Sequence, residues 1–305
     1  MTSDEPLWRL TADIERSSLS RPFISFEHFG GWSQRMPSPK NAVAPFLRWA
    51  GSKRKLLSRL APYWGNKHTR YIEPFMGSAA FFYAINPSSA ILSDINEDLV
   101  RTFVSVRDHP RAVYNRLLDI PRGKRSYNRV RKQSPTGLDP LDRAARFIFL
   151  NRFCFNGIYR TNAKGVFNVP YASLKQVIPP WDAFRAAAQP LKSAIIICAD
   201  FEEVVSNNVR EGDFVYLDPL YAVRNRRVFR QYDPQTFGLD DLNRMDQTLR
   251  LIDKRNAKFV LSYAYAPESI EYFQNWQRRK AFTQRNVSGF AEHRRMAAEL
   301  IVTNI

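Results

Sequence analysis

Six short apolar runs from residue 71 onward constrain the fold more than any other feature of the sequence. Each has the length of a buried strand, and stretches of helical periodicity such as 240–255 separate them. Such alternation predicts an α/β protein, with a mostly parallel sheet and helices on both faces. The runs lie at 71–75, 90–94, 194–200, 213–218, 257–263 and 298–304.

One interval between runs is much longer than the others. Asp94 ends the second run and Asp200 ends the third, 106 residues later, whereas a βαβ step needs about 30. The interval holds many basic residues at 122–132 and then an apolar stretch at 147–157. We therefore predict an appended, partly ordered arm, a sheet domain in two pieces and a largely helical lobe inserted between them. Their bounds are 1–43, 44–109 with 191–305, and 110–190.

The charge balance favours a polyanionic partner. The 305 residues include 46 Lys and Arg against 29 Asp and Glu, a formal net charge of +17, above the magnitude of about 2–8 usual for a small domain. Nucleic acid is the commonest such partner, and the inserted lobe is its predicted binding region.

Cysteine content and hydropathy limit the class of protein. Cys154 and Cys198 are too few for a disulfide framework or a metal cluster, so we predict reduced core residues in the cytoplasm. The sequence shows neither an apolar stretch of 18 residues nor a secretion signal. We therefore expect neither a membrane-bound nor a secreted protein.

The turn after the first run is one candidate site. Residues 73–82 have the pattern of strand, turn and helix, with Gly77 in the turn, and Asp94 ends the next strand 21 residues after Glu73. In nucleotide-binding folds such a turn lets the backbone approach the ligand, and the acid accepts hydrogen bonds from ribose hydroxyls. A core strand followed by an ordinary surface aspartate explains the same residues.

A second candidate site follows the fourth run. Asp218, Pro219 and Tyr221 come directly after a buried strand, and open α/β sheets bind ligands at the carboxyl ends of their strands. The carboxylate and the proline carbonyl can accept hydrogen bonds from an exocyclic amino group, and the tyrosine ring can stack on a flat base. An ordinary Asp-Pro turn is the alternative.

The basic segment 44–55 is a third candidate site. It places an aromatic and two small residues before a basic cluster and an apparent helix. This pattern fits a ligand lid with phosphate contacts, and a basic helix start fits it equally well.

Taken together and in this order, these segments resemble one family, the Dam-like DNA adenine-N6 methyltransferases (D12 class, alpha group). FLRWAGSK, YIEPFMGSAAFF and ILSDINEDLV resemble its first S-adenosylmethionine (SAM) motif, its glycine-rich loop and its ribose-binding acid. ICADF, LDPLY and NRFCFNGIYRTNAKGVFNVPY resemble the strand that holds the SAM adenine, the catalytic Asp-Pro-Pro-Tyr tetrad and the DNA-reading hairpin. The resemblance covers 44–305 and implies a Rossmann-like methyltransferase sheet with an inserted, mainly helical DNA-recognition lobe.

The resemblance also implies a role for each matching residue. A target adenine flipped out of the duplex would be held by Asp218, Pro219 and Tyr221. No metal is implied. SAM would be bound by Trp49, Gly51 and Lys53, by Glu73 and Gly77 at its methionine end, by Asp94 at the ribose and by Asp200 near the adenine. DNA would be contacted by Arg48, Asn156, Ile158, Arg160 and Pro170. Because arginine can pair with guanine, the first guess for the site is a short sequence resembling GATC, although a phosphate contact explains each arginine too.

Two departures from the family pattern bear on activity. Leu220 replaces the second proline of the tetrad and frees a backbone dihedral that proline fixes. GSAA replaces a glycine cluster in the SAM loop. We expect reduced or altered activity rather than none, and weaker SAM affinity.

Two other functions stay open. One is a degenerate methyltransferase that binds DNA with little or no catalysis, and the other is an RNA adenine methyltransferase. A restriction nuclease or another defence component is a candidate partner.

Overall fold

The computed structural model describes residues 43–162, 165–172, 177–220, 239–284 and 296–305. Over these residues the chain forms seven strands: β1 Arg70–Glu73, β2 Ala90–Asp94, β3 Ala194–Cys198, β4 Asp213–Leu217, β5 Lys258–Ala264, β6 Gln277–Gln284 and β7 Met296–Thr303. The α-helices of the same part of the chain are α1 Leu57–Leu60, α2 Ala80–Ile85, α3 Glu97–Asp108, α4 Pro110–Asp119, α5 Lys124–Lys132, α6 Pro140–Phe153, α7 Trp181–Ala188, α8 Phe201–Asn208, α9 Leu239–Lys254 and α10 Pro267–Tyr272.

The strands form one sheet in the order β3-β2-β1-β4-β5-β7-β6. β1 to β5 are parallel, and β7 lies antiparallel between β5 and β6. The strand order reverses between β1 and β4, which opens a crevice at their carboxyl ends. The predicted Rossmann-like α/β sheet is confirmed.

Helices cover both faces of this sheet, as predicted. Tyr71 and Phe214 belong to a core formed with α1 to α7, whereas Ile72 and Val215 belong to a second core formed with α8 to α10. The strands can serve both cores because successive side chains along a strand point to opposite faces.

The long interval between β2 and β3 holds α3 to α7. At its centre is α6. Asp139 caps this helix, because its Oδ1 accepts from the Leu141 N–H at 3.0 Å, and Pro140 is the first helical residue. Most of α6 is buried, and its Phe149 shares one core with Tyr71 of the sheet. The helices of the interval are thereby packed against the sheet that carries the candidate site.

All six predicted strands correspond to observed strands, but β6 was not predicted. Its sequence, QRRKAFTQ, is basic. It pairs with β7 at the edge of the sheet. Charged side chains are common on edge strands, where they discourage pairing with other chains, so a search for apolar runs misses such a strand.

Candidate active site

Acidic side chains meet at one edge of the sheet. Glu73 ends β1, Asp94 ends β2, and Asp218 directly follows β4. Because these strands are parallel neighbours with β1 in the centre, their carboxyl ends bring the three carboxylates to the point where such sheets bind ligands. Asp200, two residues after the outer strand β3, lies at the same edge.

Asp218 is held by two donors. Ser262 of β5 donates from Oγ to Oδ1 at 2.9 Å, and Lys53 Nζ lies 2.9 Å from the same oxygen. Since Ser262 gives its only proton to Asp218, the Tyr216 hydroxyl, 3.1 Å from Ser262 Oγ, donates to that serine. The Asp218 side chain keeps 19% of its surface exposed, so it is fixed in the fold and still reachable from solvent.

Lys53 favours the ionised form of Asp218. Burial raises the pKa of Asp218, and the charge of Lys53 opposes that rise more than any other neighbour. Lys53, which was predicted to bind the cofactor, therefore forms an ion pair with the predicted catalytic aspartate. Its Nζ is also 3.4 Å from the carbonyl oxygen of Gly51, a second predicted cofactor residue.

The turn after β1 is tied to the acid of β2. The Gly77 N–H donates to Asp94 Oδ2 at 3.1 Å, and the Asn96 N–H donates to Oδ1 at 3.0 Å. Gly77 has a φ of +45° and Ala79 a φ of +54°, both in the left-handed region that glycine adopts at least cost. Ala79, the first alanine of GSAA, thus occupies a backbone conformation suited to glycine.

Trp49 packs directly on this turn. A Cβ added to Gly77 would stand 2.8 Å from Trp49 Cδ1 and 2.9 Å from Trp49 Nε1. The indole also stacks on Tyr159, whose ring lies nearly parallel to it at 16°, with 6.0 Å between centroids. Trp49 therefore connects the turn of the sheet domain with the segment that precedes the hairpin.

Asp200 caps α8 and is engaged by an arginine that was not predicted. Its Oδ1 accepts from the Glu202 N–H at 3.0 Å and also pairs with Arg244 of α9. The guanidinium of Arg244 lies 4.8 Å from the centre of the Phe201 ring. Among the described residues both contacts of Asp200 go to Oδ1, so Oδ2 is available as an acceptor. Arg244 also pairs with Asp241 of its own helix at 3.0 Å, and that local i,i+3 pair gives no sign of the contact with Asp200.

The Asp-Pro-Leu-Tyr segment is described in part. Pro219 is buried, while Leu220 is 57% exposed. The predicted catalytic residue Tyr221 lies outside the described residues.

A short hairpin follows α6 where the DNA-reading hairpin was predicted. The Asn168 N–H donates to the Arg160 carbonyl at 3.0 Å, and Thr161 pairs with Phe167 in an antiparallel bridge. Arg160 Nε donates to Asn168 Oδ1 at 2.7 Å. Pro170 is exposed at the end of the hairpin.

The turn before the hairpin carries two further predicted DNA contacts. Asn156 is exposed with a φ of +55°, and Ile158 is half-buried. Arg48 lies against this turn, since a Cβ added to Gly157 would stand 2.6 Å from Arg48 Cβ. The structure thus brings Arg48 beside the predicted DNA contacts of the inserted segment.

The family model of the D12 class N6 adenine-specific DNA methyltransferases matches residues 49–288. The chain belongs to this family. The matched range contains the three carboxylates at the sheet edge, the turn at Gly77 and the hairpin.

Curated relatives align with most of this methyltransferase. The type II methyltransferase M1.LlaDCHI of Lactococcus lactis subsp. cremoris is 30% identical over 272 residues, which cover 86% of this chain and 95% of that protein. The type II methyltransferase M.MjaIII of Methanocaldococcus jannaschii is 36% identical over 255 residues, 76% of this chain and 86% of that protein. The DNA adenine methylase of Haemophilus influenzae is 30% identical over 270 residues, 86% and 94% of the two chains. The predictions of a Dam-like family and of an adenine-specific DNA methyltransferase are confirmed.

Two residues of the predicted apolar runs, Phe155 and Cys198, are exposed in the methyltransferase. Phe155 is 46% exposed although Phe153 and Cys154 of the same run are buried; the run does not show which aromatic side chain points outward, so Phe155 was missed. Cys198 was predicted in the core but is exposed, because β3 is an edge strand.

Within the described ranges, we find no helix long and apolar enough to cross a membrane and no cluster of His, Cys, Asp and Glu able to hold a metal ion.

Glu73 is a buried acid in a negative environment. It is 3% exposed, and the Tyr71 hydroxyl donates to its Oε2 at 2.9 Å. Burial raises the pKa of Glu73 well above its usual range; the hydrogen bond from Tyr71 opposes that rise, and the charges of Asp218 and Asp94 add to it. The site therefore favours a cationic neighbour for Glu73.

This shifted pKa predicts a pH-dependent stability. The folded state holds the Glu73 proton to higher pH than the unfolded state, so its contribution to the free energy of unfolding falls as pH rises above the usual glutamate value. Glu73→Gln lacks this loss, and we expect the variant to gain stability relative to wild type between about pH 5 and about pH 8. Urea unfolding at both pH values measures the difference.

Glu97→Gln is the control of opposite sign, since hydrogen bonding to Arg101 lowers the pKa of the exposed Glu97. Its stability relative to wild type should stay nearly constant over the same pH range, because the contribution of Glu97 is already present above the usual glutamate pKa and is lost only at lower pH. A Glu73→Gln variant whose stability difference does not change with pH contradicts the assignment.

Proposed function

We propose that this methyltransferase moves the methyl group of SAM to the N6 atom of a flipped adenine in a short duplex site resembling GATC. The observation that carries the proposal is the carboxylate of Asp218, fixed by Lys53 and Ser262 at the switch point of the sheet beside Glu73 and Asp94. An acid at this place can accept a hydrogen bond from the exocyclic amino group of adenine.

The residues at the sheet edge fit SAM. SAM carries a sulfonium and an ammonium group, and the carboxylates of Glu73 and Asp94 complement that charge. The turn at Gly77 gives backbone access at the methionine end, beside Trp49. Asp94 would accept hydrogen bonds from the ribose hydroxyls, and Asp200 Oδ2 would accept one from the adenine amino group. Gly51 and Lys53 would complete the cofactor site from the basic segment.

Asp218 and Pro219 would act on the target base. The lone pair of the adenine N6 atom is delocalised into the ring, which makes it a weak nucleophile. Hydrogen bonds from its two hydrogens to Asp218 and to the Pro219 carbonyl draw the nitrogen toward tetrahedral geometry and aim its lone pair, and Tyr221 would stack on the base. SAM supplies the electrophilic methyl group when bound. Positioning and electrostatics provide the catalysis: the N6 lone pair would form the new bond to the methyl group as its bond to sulfur breaks, the electron pair would stay on sulfur, and the N6 proton would then pass to water.

Lys53 leaves an acceptor for the base. Its Nζ and Ser262 Oγ both contact Asp218 Oδ1 at 2.9 Å, so among the described residues Oδ2 is available to the amino group of the incoming base. The positive charge of Lys53 opposes the rise in the Asp218 pKa that burial causes, and the ion pair thereby favours the ionised acid.

The DNA side of the site would be the turn and hairpin after α6. Arg48, Asn156, Ile158, Arg160 and Pro170 are the proposed DNA contacts, and exposed basic residues on α5 would neutralise phosphates. Exposed Phe155 adds an apolar side chain able to enter the base stack.

Removing Phe155 is expected to weaken DNA binding. Phe155→Ala loses one aromatic–base contact, and the Kd for duplex DNA should rise about tenfold. Phe282→Ala removes a similarly exposed phenylalanine, 60% accessible on β6, and should leave the Kd unchanged. Fluorescence anisotropy with a labelled duplex measures both, and equal affinities of the two variants would refute a DNA contact by Phe155.

The names of the relatives and the free cysteines support a partner protein and a cellular compartment for this reaction. Two of them are named type II methyltransferases, which supports a restriction nuclease as partner. Cys154 and Cys198 are both free thiols, which favours a reducing compartment such as the cytoplasm.

Incubation of the purified protein with SAM and unmethylated plasmid, followed by mapping of N6-methyladenine, tests the proposal. Modification at one short motif supports it and supplies the site; modification at a motif unlike GATC corrects the sequence preference alone. No modification by folded protein that still binds duplex DNA would favour a degenerate binder, and preferred modification of structured RNA would favour an RNA enzyme. Leu220→Pro restores the family tetrad, and activity regained by this variant would locate the defect in that exposed turn.

A further inference from the structure

We propose that Asn151 is a positioning residue that fixes one stretch of backbone shared by the DNA-contacting and cofactor-binding parts of the site; this inference rests on the function proposed above. Asn151 lies in the last turn of α6 and is 2% exposed. Its environment is the junction between the inserted helices and the segment 46–49.

The carboxamide of Asn151 binds both backbone groups of a single residue. The Arg48 N–H donates to Asn151 Oδ1 at 2.9 Å, and Asn151 Nδ2 donates to the Arg48 carbonyl at 2.6 Å. This pair of bonds is the one that two opposed residues exchange in an antiparallel sheet. The side chain thus replaces a strand partner and sets the position of Arg48 along the backbone.

The same inserted region holds the residues on either side of Arg48. Arg152 donates from Nε to the Phe46 carbonyl at 2.9 Å and from Nη2 to the same oxygen. Tyr159 stacks on Trp49 with 6.0 Å between centroids. Arg152 is half-buried, and burial lowers its pKa to about 10. Segment 46–49 is therefore fixed along its length by the part of the chain that carries the hairpin.

The carboxyl-terminal end of segment 46–49, and the residues that follow it, contact the proposed cofactor and catalytic residues. Trp49 lies against Gly77 in the cofactor turn, and Lys53, four residues on, contacts Asp218. Because one short backbone stretch carries Arg48, Trp49 and Lys53, a shift at Arg48 displaces a DNA contact and a cofactor contact together. Asn151 thus links DNA binding to SAM binding without touching either ligand.

Asn151→Asp is the sharpest test, because it keeps the shape and the acceptor for the Arg48 N–H. The lost Nδ2 donor leaves a carboxylate oxygen facing the Arg48 carbonyl, so two acceptors oppose each other. We expect the Kd for SAM and the Kd for a duplex carrying the mapped site each to rise about tenfold. Calorimetry and anisotropy measure them at a temperature where circular dichroism shows the variant folded.

Asn304→Asp is the matched control. Asn304 is 8% exposed, accepts from the Phe259 N–H at 2.9 Å and donates to the Ala257 carbonyl at 3.0 Å and to Asp253 Oδ1 at 2.7 Å. It binds backbone groups of two residues at the start of β5, the end of the sheet away from Asp218, and the added charge beside Asp253 makes its loss of stability the larger one. This variant should lose stability while both Kd values stay within about twofold of wild type.

A double mutant separates positioning from general damage. Trp49→Ala removes one of the side chains through which Asn151 acts on the cofactor, so adding Asn151→Asp should cost less SAM affinity than it does in the wild-type background and should still weaken DNA binding. Loss of only one ligand in Asn151→Asp, or equal losses in Asn304→Asp, would overturn the inference. Wild-type protein that binds no SAM refutes the proposed function, whereas an active wild type with an unaffected Asn151→Asp variant refutes only the positioning role.

Discussion

Asp218→Asn is expected to lower kcat about 1,000-fold while SAM affinity stays close to wild type. The amide has the size of the carboxylate and can still accept from Ser262 Oγ, which lies 2.9 Å from Oδ1. It carries no charge, so it cannot pair with Lys53 or stabilise the positive charge that develops on N6 as the methyl group arrives. Single-turnover methylation of a duplex at saturating SAM measures the chemical step.

Asp213→Asn is the control for this prediction. Asp213 is fully buried at the opposite end of β4 and pairs with Arg70 at 2.7 Å. Removing that charge leaves Arg70 bonded to the Asn208 carbonyl but without its counter-ion, and should lower the free energy of unfolding by about 3–5 kcal/mol, with kcat of the folded fraction preserved. An Asp218→Asn variant that keeps more than about a tenth of the wild-type kcat would contradict the assigned role.

The parallel sheet could be predicted because buried strands appear as apolar runs, and because the acids that follow them mark their carboxyl ends. Glu73, Asp94 and Asp218 were predicted as separate motifs, and the parallel order of β2, β1 and β4 explains why they meet. The strand β6 could not be predicted in this way, since its basic side chains belong to an edge.

Contacts between distant segments were beyond a single sequence. Lys53 stands in a basic cluster that gives no sign of Asp218, and Arg244 lies on α9 while its partner Asp200 precedes α8. Asn151 is a polar residue within an apolar run, and no local pattern shows that its amide clasps Arg48. Such pairs depend on how helices pack on the sheet, which the local pattern does not determine.

The turn at Gly77 was predicted from the sequence, but its contact with Trp49 was not. Its glycine was recognised as the residue that lets the backbone approach a ligand, whereas the contact with Trp49 became visible only in the folded chain. This contact determines how well a side chain is tolerated there, and it leads to the second prediction of large effect.

Gly77→Ala is expected to raise the Kd for SAM about 100-fold, because a shift of the cofactor contacts by about 1 Å is enough for such a loss. The added Cβ meets the indole of Trp49 at 2.8 Å, so the ring or the turn must move. Gly137→Ala is the matched control: its φ of +84° imposes a similar backbone strain, but nothing lies within 4 Å of the added Cβ. Calorimetric titration with SAM should therefore separate the two variants, while thermal unfolding should show the backbone strain in both and a larger loss in Gly77→Ala, where the contact with Trp49 adds to it. Equal SAM affinities would mean that Trp49 and the turn at Gly77 do not form the cofactor site, and a loss in Gly77→Ala alone would place the cofactor against their contact.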